Sequence, residues 1–246
     1  MPQIVIFLDL DDTILQTAPK CPAGEPVEPV AVDRAGRALS FMTRAQRRLL
    51  GFWLERGTVI PVTGRTDDAL ARVAIKFESW RITHHGAVIR QPDGRLPVWW
   101  HDEVRPLLVA AESPLQEIAA RLNEGATSGG YRVSRHSIEG RLTYLSVKSD
   151  DDGAALARLR SQLEEIGLPP ELALHHNGNN FALIVKGTRK HDAVRRVVKA
   201  LEESGSIITI GAGDSLTDIP FLRVCDFALV PRESQIQRDT WNAYSS

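Results

Sequence analysis

The run Ile4-Val5-Ile6-Phe7-Leu8 ends abruptly in the carboxylates of Asp9, Asp11 and Asp12. A β-branched and aromatic run this short reads as a buried strand. In an open α/β sheet, ligands bind in the crevice beyond the carboxyl ends of parallel strands. Side chains alternate along an extended chain, so Asp9 and Asp11 face one way and Asp12 the other. Two neighbouring carboxylates repel unless a cation or a proton joins them. The pair suits a Mg²⁺ site, with one carboxylate as nucleophile and the other as acid/base.

At 246 residues the chain has room for one large domain or two smaller ones. Its 30 Lys+Arg against 31 Asp+Glu give no field that would draw nucleic acid or a membrane surface. Cys21 and Cys225 form no C-x-x-C pair, so neither a disulfide framework nor a zinc knuckle is expected. That fits a reducing compartment. No run approaches the ~20 apolar residues that cross a bilayer, and the first apolar run is too short for a signal-peptide core. The expected location is the cytoplasm.

Beyond the first strand, the sequence predicts a loop over 17–29 and a hairpin over 30–42 that turns at Asp33-Arg34-Ala35-Gly36. Thr43 caps a helix to Arg56, and Thr58 to Val62 is a second buried strand ending at Thr63-Gly64-Arg65. A helix follows from Thr66 to about Phe77, then a short strand at Arg81–Thr83. This β-α-β-α-β alternation is the mark of a doubly wound parallel sheet. The middle block reads differently: a hairpin over 88–95, a helix from Ser113-Pro114 to Asn123, and a strand over 142–148. A helix with the stripe Leu156, Leu159, Leu163, Ile166 and a hairpin joining 172–176 to 181–185 complete it. The parallel pattern resumes with a helix over 191–204, a strand over 207–210, Gly213-Asp214-Ser215 opening a helix to about Val224, and a strand over 227–230. The expected organisation is a core of 1–87 and 187–246 split by an inserted α/β unit of 88–186.

Asp9-Leu10-Asp11-Asp12-Thr13, then Thr63, Lys190 and Gly213-Asp214-Ser215-Leu216-Thr217-Asp218 fall in this order at strand ends or helix starts. Each alone fits an ordinary turn, cap or solvated lysine. The ordered set resembles the four motifs of the haloacid-dehalogenase-like phosphatases. The inserted block is similar in layout to their class IIB caps, as in sucrose-phosphate, mannosyl-3-phosphoglycerate and Cof-type sugar phosphatases. The resemblance implies a Rossmann-like core with a cap, and a phosphoric monoester hydrolase. Asp9 would attack phosphorus and Asp11 would serve as acid/base. Asp9, Asp11, Asp214 and Asp218 would form the Mg²⁺ site, with Asp214 and Asp218 one helical turn apart. Thr63, Gly64 and Lys190 would bind phosphate. Asp12 stands where many relatives have Gly, and Thr217 where many have Asn.

In such architectures the cap closes over the core and selects the leaving group. Candidates for that selection are Arg65, His85, Arg135, His175 and His176. His85 stands where relatives often carry Asn before Gly-Ala, a position read as the core–cap hinge. His175 and His176 adjoin in a strand, so only one faces the site. The basic and amide groups suit a small polar phosphorylated metabolite, and the chain is expected to act as a monomer or homodimer. A phosphomutase of the same superfamily and a phosphoacceptor signalling domain are the alternatives. The latter would need neither Asp11 as acid/base nor an inserted cap.

Overall fold

The computed structural model describes residues 3–149, 154–177 and 180–241. Contacts divide the chain into two units, 1–97 with 190–246 and 98–189. The second unit therefore begins at Val98 rather than at residue 88.

The first unit opens with β1 (Gln3–Leu8), β2 (Gln16–Thr17), β3 (Val27–Val32), β4 (Ala38–Thr43), α1 (Arg44–Arg56) and β5 (Thr58–Pro61). It continues with α2 (Asp67–Ala71), β6 (Arg81–Thr83) and β7 (Val88–Arg90). The second unit holds α3 (Val98–Gly129), β8 (Tyr131–Ile138), β9 (Arg141–Ser149), α4 (Ala154–Ile166), β10 (Leu172–Asn177) and β11 (Asn180–Val185). The chain returns with α5 (Lys190–Glu202), β12 (Ile207–Ala212), α6 (Ile219–Leu222), β13 (Phe227–Leu229) and α7 (Gln235–Trp241).

The main sheet is parallel, in the order β13-β12-β1-β5. Val5, Ile6, Phe7 and Leu8 are all buried, as a strand covered on both faces requires. β5 lies on one side of β1 and β12 on the other, so the strand order reverses beside the carboxyl end of β1. That is where doubly wound sheets open a crevice. Leu8, Leu10, Ile14 and Leu15 pack with Val30, Met42, Leu50 and Trp53 in one cluster, which ties the turn after β1 to α1 and to the β2-β4-β3 sheet. Thr43 caps α1 as expected, and Gln46 returns the bond to the Thr43 N–H, closing a capping box.

Several local expectations fail for identifiable reasons. The helix after Thr66 stops at Ala71, because the chain beyond it pairs with β3: Val32 N–H donates to Arg72 O and Ala74 N–H to Val30 O. Residues 88–95 form no two-stranded hairpin: Gln91 N–H donates to Arg95 O and Gly94 N–H to Gln91 O in a tight turn, but the strand Val88–Arg90 pairs antiparallel with Arg81–Thr83. The reversal between those strands uses left-handed backbone at His84, His85 and Gly86 (φ 52°, 59° and 114°). Asp214 and Asp218 do not share a helix: Asp218 N–H donates to Ser215 O in a turn, and α6 starts only at Ile219.

The second unit departs most from expectation. The helix placed at 113–123 is part of α3, which runs from Val98 to Gly129 through Pro106 and Pro114. Its stripe of Trp100, Val104, Leu108, Ala111, Leu115, Ala119 and Leu122 is buried. The strand β8 was not foreseen; it forms the edge of an antiparallel sheet ordered β10-β11-β9-β8. The Tyr131 hydroxyl donates to Leu122 O on α3, so the Tyr131 face of this sheet is the one α3 covers. Among the described residues, no helix is long and apolar enough to cross a membrane.

Candidate active site

Three parallel strands deliver candidate site residues to one end of the sheet. Asp9 directly follows β1, Thr63 comes two residues after β5, and Asp214 two residues after β12. Gly213 lets the backbone pass close to Asp218: a Cβ there would stand 2.8 Å from Asp218 Cβ.

Asp9, Asp214 and Asp218 are buried, and each offers a carboxylate oxygen within 4.8 Å of the others. The Lys190 ammonium, at the first turn of α5, lies 2.6 Å from Asp9 Oδ1 and 2.7 Å from Asp218 Oδ1. Lys190 is itself buried, with Phe221 beneath its Nζ at 5.7 Å from the ring centroid. Thr13 Oγ1 stands 3.1 Å from both Asp9 Oδ2 and Asp214 Oδ1. A hydroxyl has one proton, so it can donate to only one of them at a time.

The three carboxylates are not equivalent. Asp218 Oδ1 accepts from Lys190, and Oδ2 accepts from the Ser215 hydroxyl at 2.8 Å, the Ser215 N–H at 3.1 Å and the Asp214 N–H at 3.3 Å. Burial would raise its pKa, but Lys190 and these donors hold it below the usual carboxylate range. Asp9 and Asp214 are less well compensated. Burial pushes Asp9 well above the usual range despite Lys190, and Asp218 and Asp214 push the same way. Burial, then Asp218 and Asp12, push Asp214 up to about 7. Burial alone would lower Lys190, but Asp218 and Asp9 hold it above its ordinary value, so it stays charged.

A buried set of carboxylates with one ammonium among them lacks positive charge. All its oxygen donors are hard, and the two least compensated groups, Asp9 and Asp214, are both near Thr13. The residues present therefore fit a hard divalent cation, which Asp9 and Asp214 would ligate, with Asp218 anchoring their surroundings.

Asp11 is absent from this buried group. Its carboxylate is gripped by Arg65, with Nε 2.8 Å from Oδ2 and Nη2 2.6 Å from Oδ1, and Nη2 also reaches Ser40 Oγ on β4 at 3.0 Å. The expected ligand set of Asp9, Asp11, Asp214 and Asp218 thus separates into a buried cluster and an Arg65-bound carboxylate. Asp12 adopts φ 64°, the left-handed backbone that explains why glycine is easy at this position, and its carboxylate pairs with Lys20.

Thr63 is buried; its Oγ1 accepts from the Arg65 N–H at 3.1 Å, and its N–H donates to Ile82 O at 2.9 Å. The His84 and His85 N–H groups donate to Arg65 O at 2.8 Å and Thr63 O at 3.1 Å. The His85 ring lies on Gly64, where a Cβ would stand 2.4 Å from Cε1.

The other expected specificity residues lie in the second unit. Cross-strand register sets His175 beside Ala182, Ala182 beside Ser146 and Ser146 beside Ser134, in one row across the sheet. His136 belongs to this face, stacked on Tyr144 with ring centroids 4.1 Å apart and Nε2 2.8 Å from Ser146 Oγ. Arg135 pairs with Leu145 in the alternate row, on the face that carries Tyr131, so it does not share a face with His175. The His176 backbone pairs with Phe181; its side chain lies outside the described residues. Reasoning from sequence missed Thr13 and Ser215 as side-chain partners of the carboxylates, although both sit inside the motifs that it singled out. It also gave Arg65 to substrate rather than to Asp11.

No family model and no curated protein sequence matches the chain. Solved structures do. A trehalose-6-phosphate phosphatase related protein is 20% identical, with 94% of this chain and 88% of that chain covered and a TM-score of 0.57. The sucrose-phosphatase from Synechocystis sp., solved with sucrose and phosphate, is 16% identical, with 99% and 88% covered and a TM-score of 0.59. A haloacid dehalogenase-like hydrolase from B. subtilis is 16% identical, with 93% and 94% covered and a TM-score of 0.53. The chain has the fold that these proteins share, a Rossmann-like core with a second α/β unit.

Proposed function

We propose that this chain, built on the fold of haloacid dehalogenase-like hydrolases, is a Mg²⁺-dependent phosphatase acting on a phosphorylated sugar or similar small polar metabolite. One observation carries the reading: a buried Lys190 joins Asp9 to Asp218 while Asp9 and Asp214 remain short of positive charge. A cation held by Asp9 and Asp214 would supply that charge and neutralise an incoming phosphate.

Asp9 is then the nucleophile. One of its oxygens forms a bond to phosphorus as the ester P–O bond breaks, giving an aspartyl-phosphate. Lys190 offsets negative charge on Asp9 and on the transferring phosphoryl group. Asp11, protonated on the oxygen that leaves the Arg65 fork, delivers that proton to the departing alcohol, then takes one from the water that attacks phosphorus and regenerates Asp9. Arg65 keeps the Asp11 carboxylate oriented, and one oxygen leaves that fork when Asp11 acts. The Thr63 hydroxyl and the Gly64 backbone hold phosphate oxygens.

The substrate class draws support from the sucrose-phosphatase and the trehalose-6-phosphate phosphatase related protein of like fold, and from the polar face carrying Ser134, His136, Ser146 and His175. The test is Mg²⁺-dependent phosphate release from a panel of phosphorylated sugars, glycerates and nucleotides. Once a substrate is found, His175→Ala should lower its kcat/KM about tenfold while sparing a small aryl phosphate. Arg135→Ala, on the other face, should not. Release from no sugar phosphate, with nucleotides cleaved instead, would refute the substrate class. A stable phosphoaspartate without turnover would favour a phosphoacceptor domain.

A further inference from the structure

The turn between β6 and β7 is built against the rules of economy for such turns. Tight reversals place Gly, Asn or Asp at positive φ, because other side chains clash with their own backbone there. Here two successive histidines, His84 and His85, take φ 52° and 59° before Gly86 takes 114°. Backbone strain of this kind persists where the surroundings hold it, often beside functional groups. His84 is buried, whereas His85 is only partly so. Core filling therefore does not account for a ring at position 85.

What the His85 ring does is cover Gly64. A Cβ on Gly64 would fall 2.4, 2.7 and 3.0 Å from its Cε1, Nε2 and Nδ1. On either side of that contact, the His85 N–H donates to Thr63 O at 3.1 Å and the His84 N–H to Arg65 O at 2.8 Å. The Thr63–Gly64–Arg65 turn is thus pinned at the carbonyl before the glycine, at its Cα and at the carbonyl after it. A shift of Gly64 would move the Thr63 hydroxyl and the Arg65 fork on Asp11 together.

We infer that His85 is a positioning residue, whose ring and left-handed backbone fix the Thr63–Gly64–Arg65 turn in the geometry that receives a phosphoryl group. The inference rests on the phosphatase reading above. Its contribution is steric, through a flat ring over a residue without a side chain, and needs no proton transfer at the imidazole.

The test uses the full chain with Mg²⁺ and inorganic phosphate as the probe. Calorimetric Kd and melting temperature are measured for wild type, His85→Gly, His85→Asn, His85→Phe and Thr63→Val. Gly and Asn accept left-handed backbone more readily, so they should leave the melting temperature unchanged or higher. They should nonetheless weaken phosphate by about tenfold or more, the scale of a small misplacement in a site. Phe, which restores a flat ring, should recover most of the affinity. An unchanged phosphate Kd in folded His85→Gly, with Thr63→Val impaired, would overturn the inference and leave the phosphatase reading standing. Equal losses of melting temperature and affinity in all three His85 variants would reduce His85 to a structural residue. Failure of wild type to bind phosphate would overturn both readings.

Discussion

Arg65 holds both oxygens of Asp11, one through Nε and one through Nη2, while the same Nη2 reaches Ser40. Two parallel bonds fix the plane of a carboxylate, which a lysine at the same place cannot do. Arg65→Lys keeps the charge and loses the fork. It should lower kcat about tenfold for an alkyl phosphate, in line with the loss of one charge-assisted hydrogen bond. An aryl phosphate with a good leaving group needs little protonation, so its kcat should change far less. Steady-state kinetics on the two substrates check this; equal losses would place Arg65 on the phosphate instead.

Asp9→Asn should remove turnover and stabilise the metal-free protein. The amide keeps an acceptor for Lys190 but takes one negative charge from a cluster whose members raise one another's pKa. Thermal denaturation in chelator, beside an assay in Mg²⁺, gives both signs. A lower melting temperature would show that Asp9 is a structural anchor.

Lys190→Ala should destabilise more than a helix-start lysine ordinarily would. Sequence alone describes Lys190 as a solvated charge at a helix start, but it is buried and joins two buried carboxylates. Removing one partner of such a pair costs about 3–5 kcal/mol, or roughly 10 °C for a chain of this size. Saturating Mg²⁺ should restore part of the loss without restoring kcat. Melting curves with and without the ion are the measurement.

The metal-free protein should lose stability as pH rises. Asp214 is pushed up to about 7 and Asp9 is raised as well. A carboxylate raised on folding adds stability below its unfolded pKa of about 4 and loses it as pH climbs through the folded value. The melting temperature in chelator should therefore fall between pH 4 and 7. Asp218, held low, contributes in the opposite sense and only in more acidic solution. Asp214→Asn should flatten the profile.

Asp12→Gly should raise the melting temperature, because φ 64° disfavours a side chain by about 1–2 kcal/mol. The lost pair with Lys20, more than half exposed, offsets little of that. Differential scanning calorimetry of the variant checks it, and a decrease would mean that the Lys20 contact secures the turn after β1.

The core was legible because its signals are local. β1, β5, the Thr43 cap and α5 follow from apolar period and capping chemistry within about a dozen residues. The second unit was read less well. Pro106 looks like a helix breaker and Ser113-Pro114 like a helix start, and only the buried stripe from Trp100 to Leu122 overrides them. In β8, Arg135 interrupts the apolar alternation begun by Tyr131 and Val133, on an edge strand that tolerates such a residue. The β6–β7 pairing was hidden because histidines occupy a turn where glycine or asparagine would have announced it. At the site, residue types and order were readable, but the division of labour was not. That Asp11 faces Arg65, and that Asp218 is saturated while Asp9 and Asp214 are not, depends on distances between stretches far apart in the chain.

Those separations have a consequence for how the protein comes into being. Lys190 follows Asp9 by 181 residues and Asp214 follows Thr13 by 201, and the strand beside β1 on that side is β12. During synthesis the centre of the sheet must wait, open along one edge, while the whole second unit is made. Contacts so distant in sequence form late and slowly. The acidic centre cannot receive its counter-charge until α5 has arrived. Competence at this site is therefore a certificate that the two ends of the first unit have closed around each other.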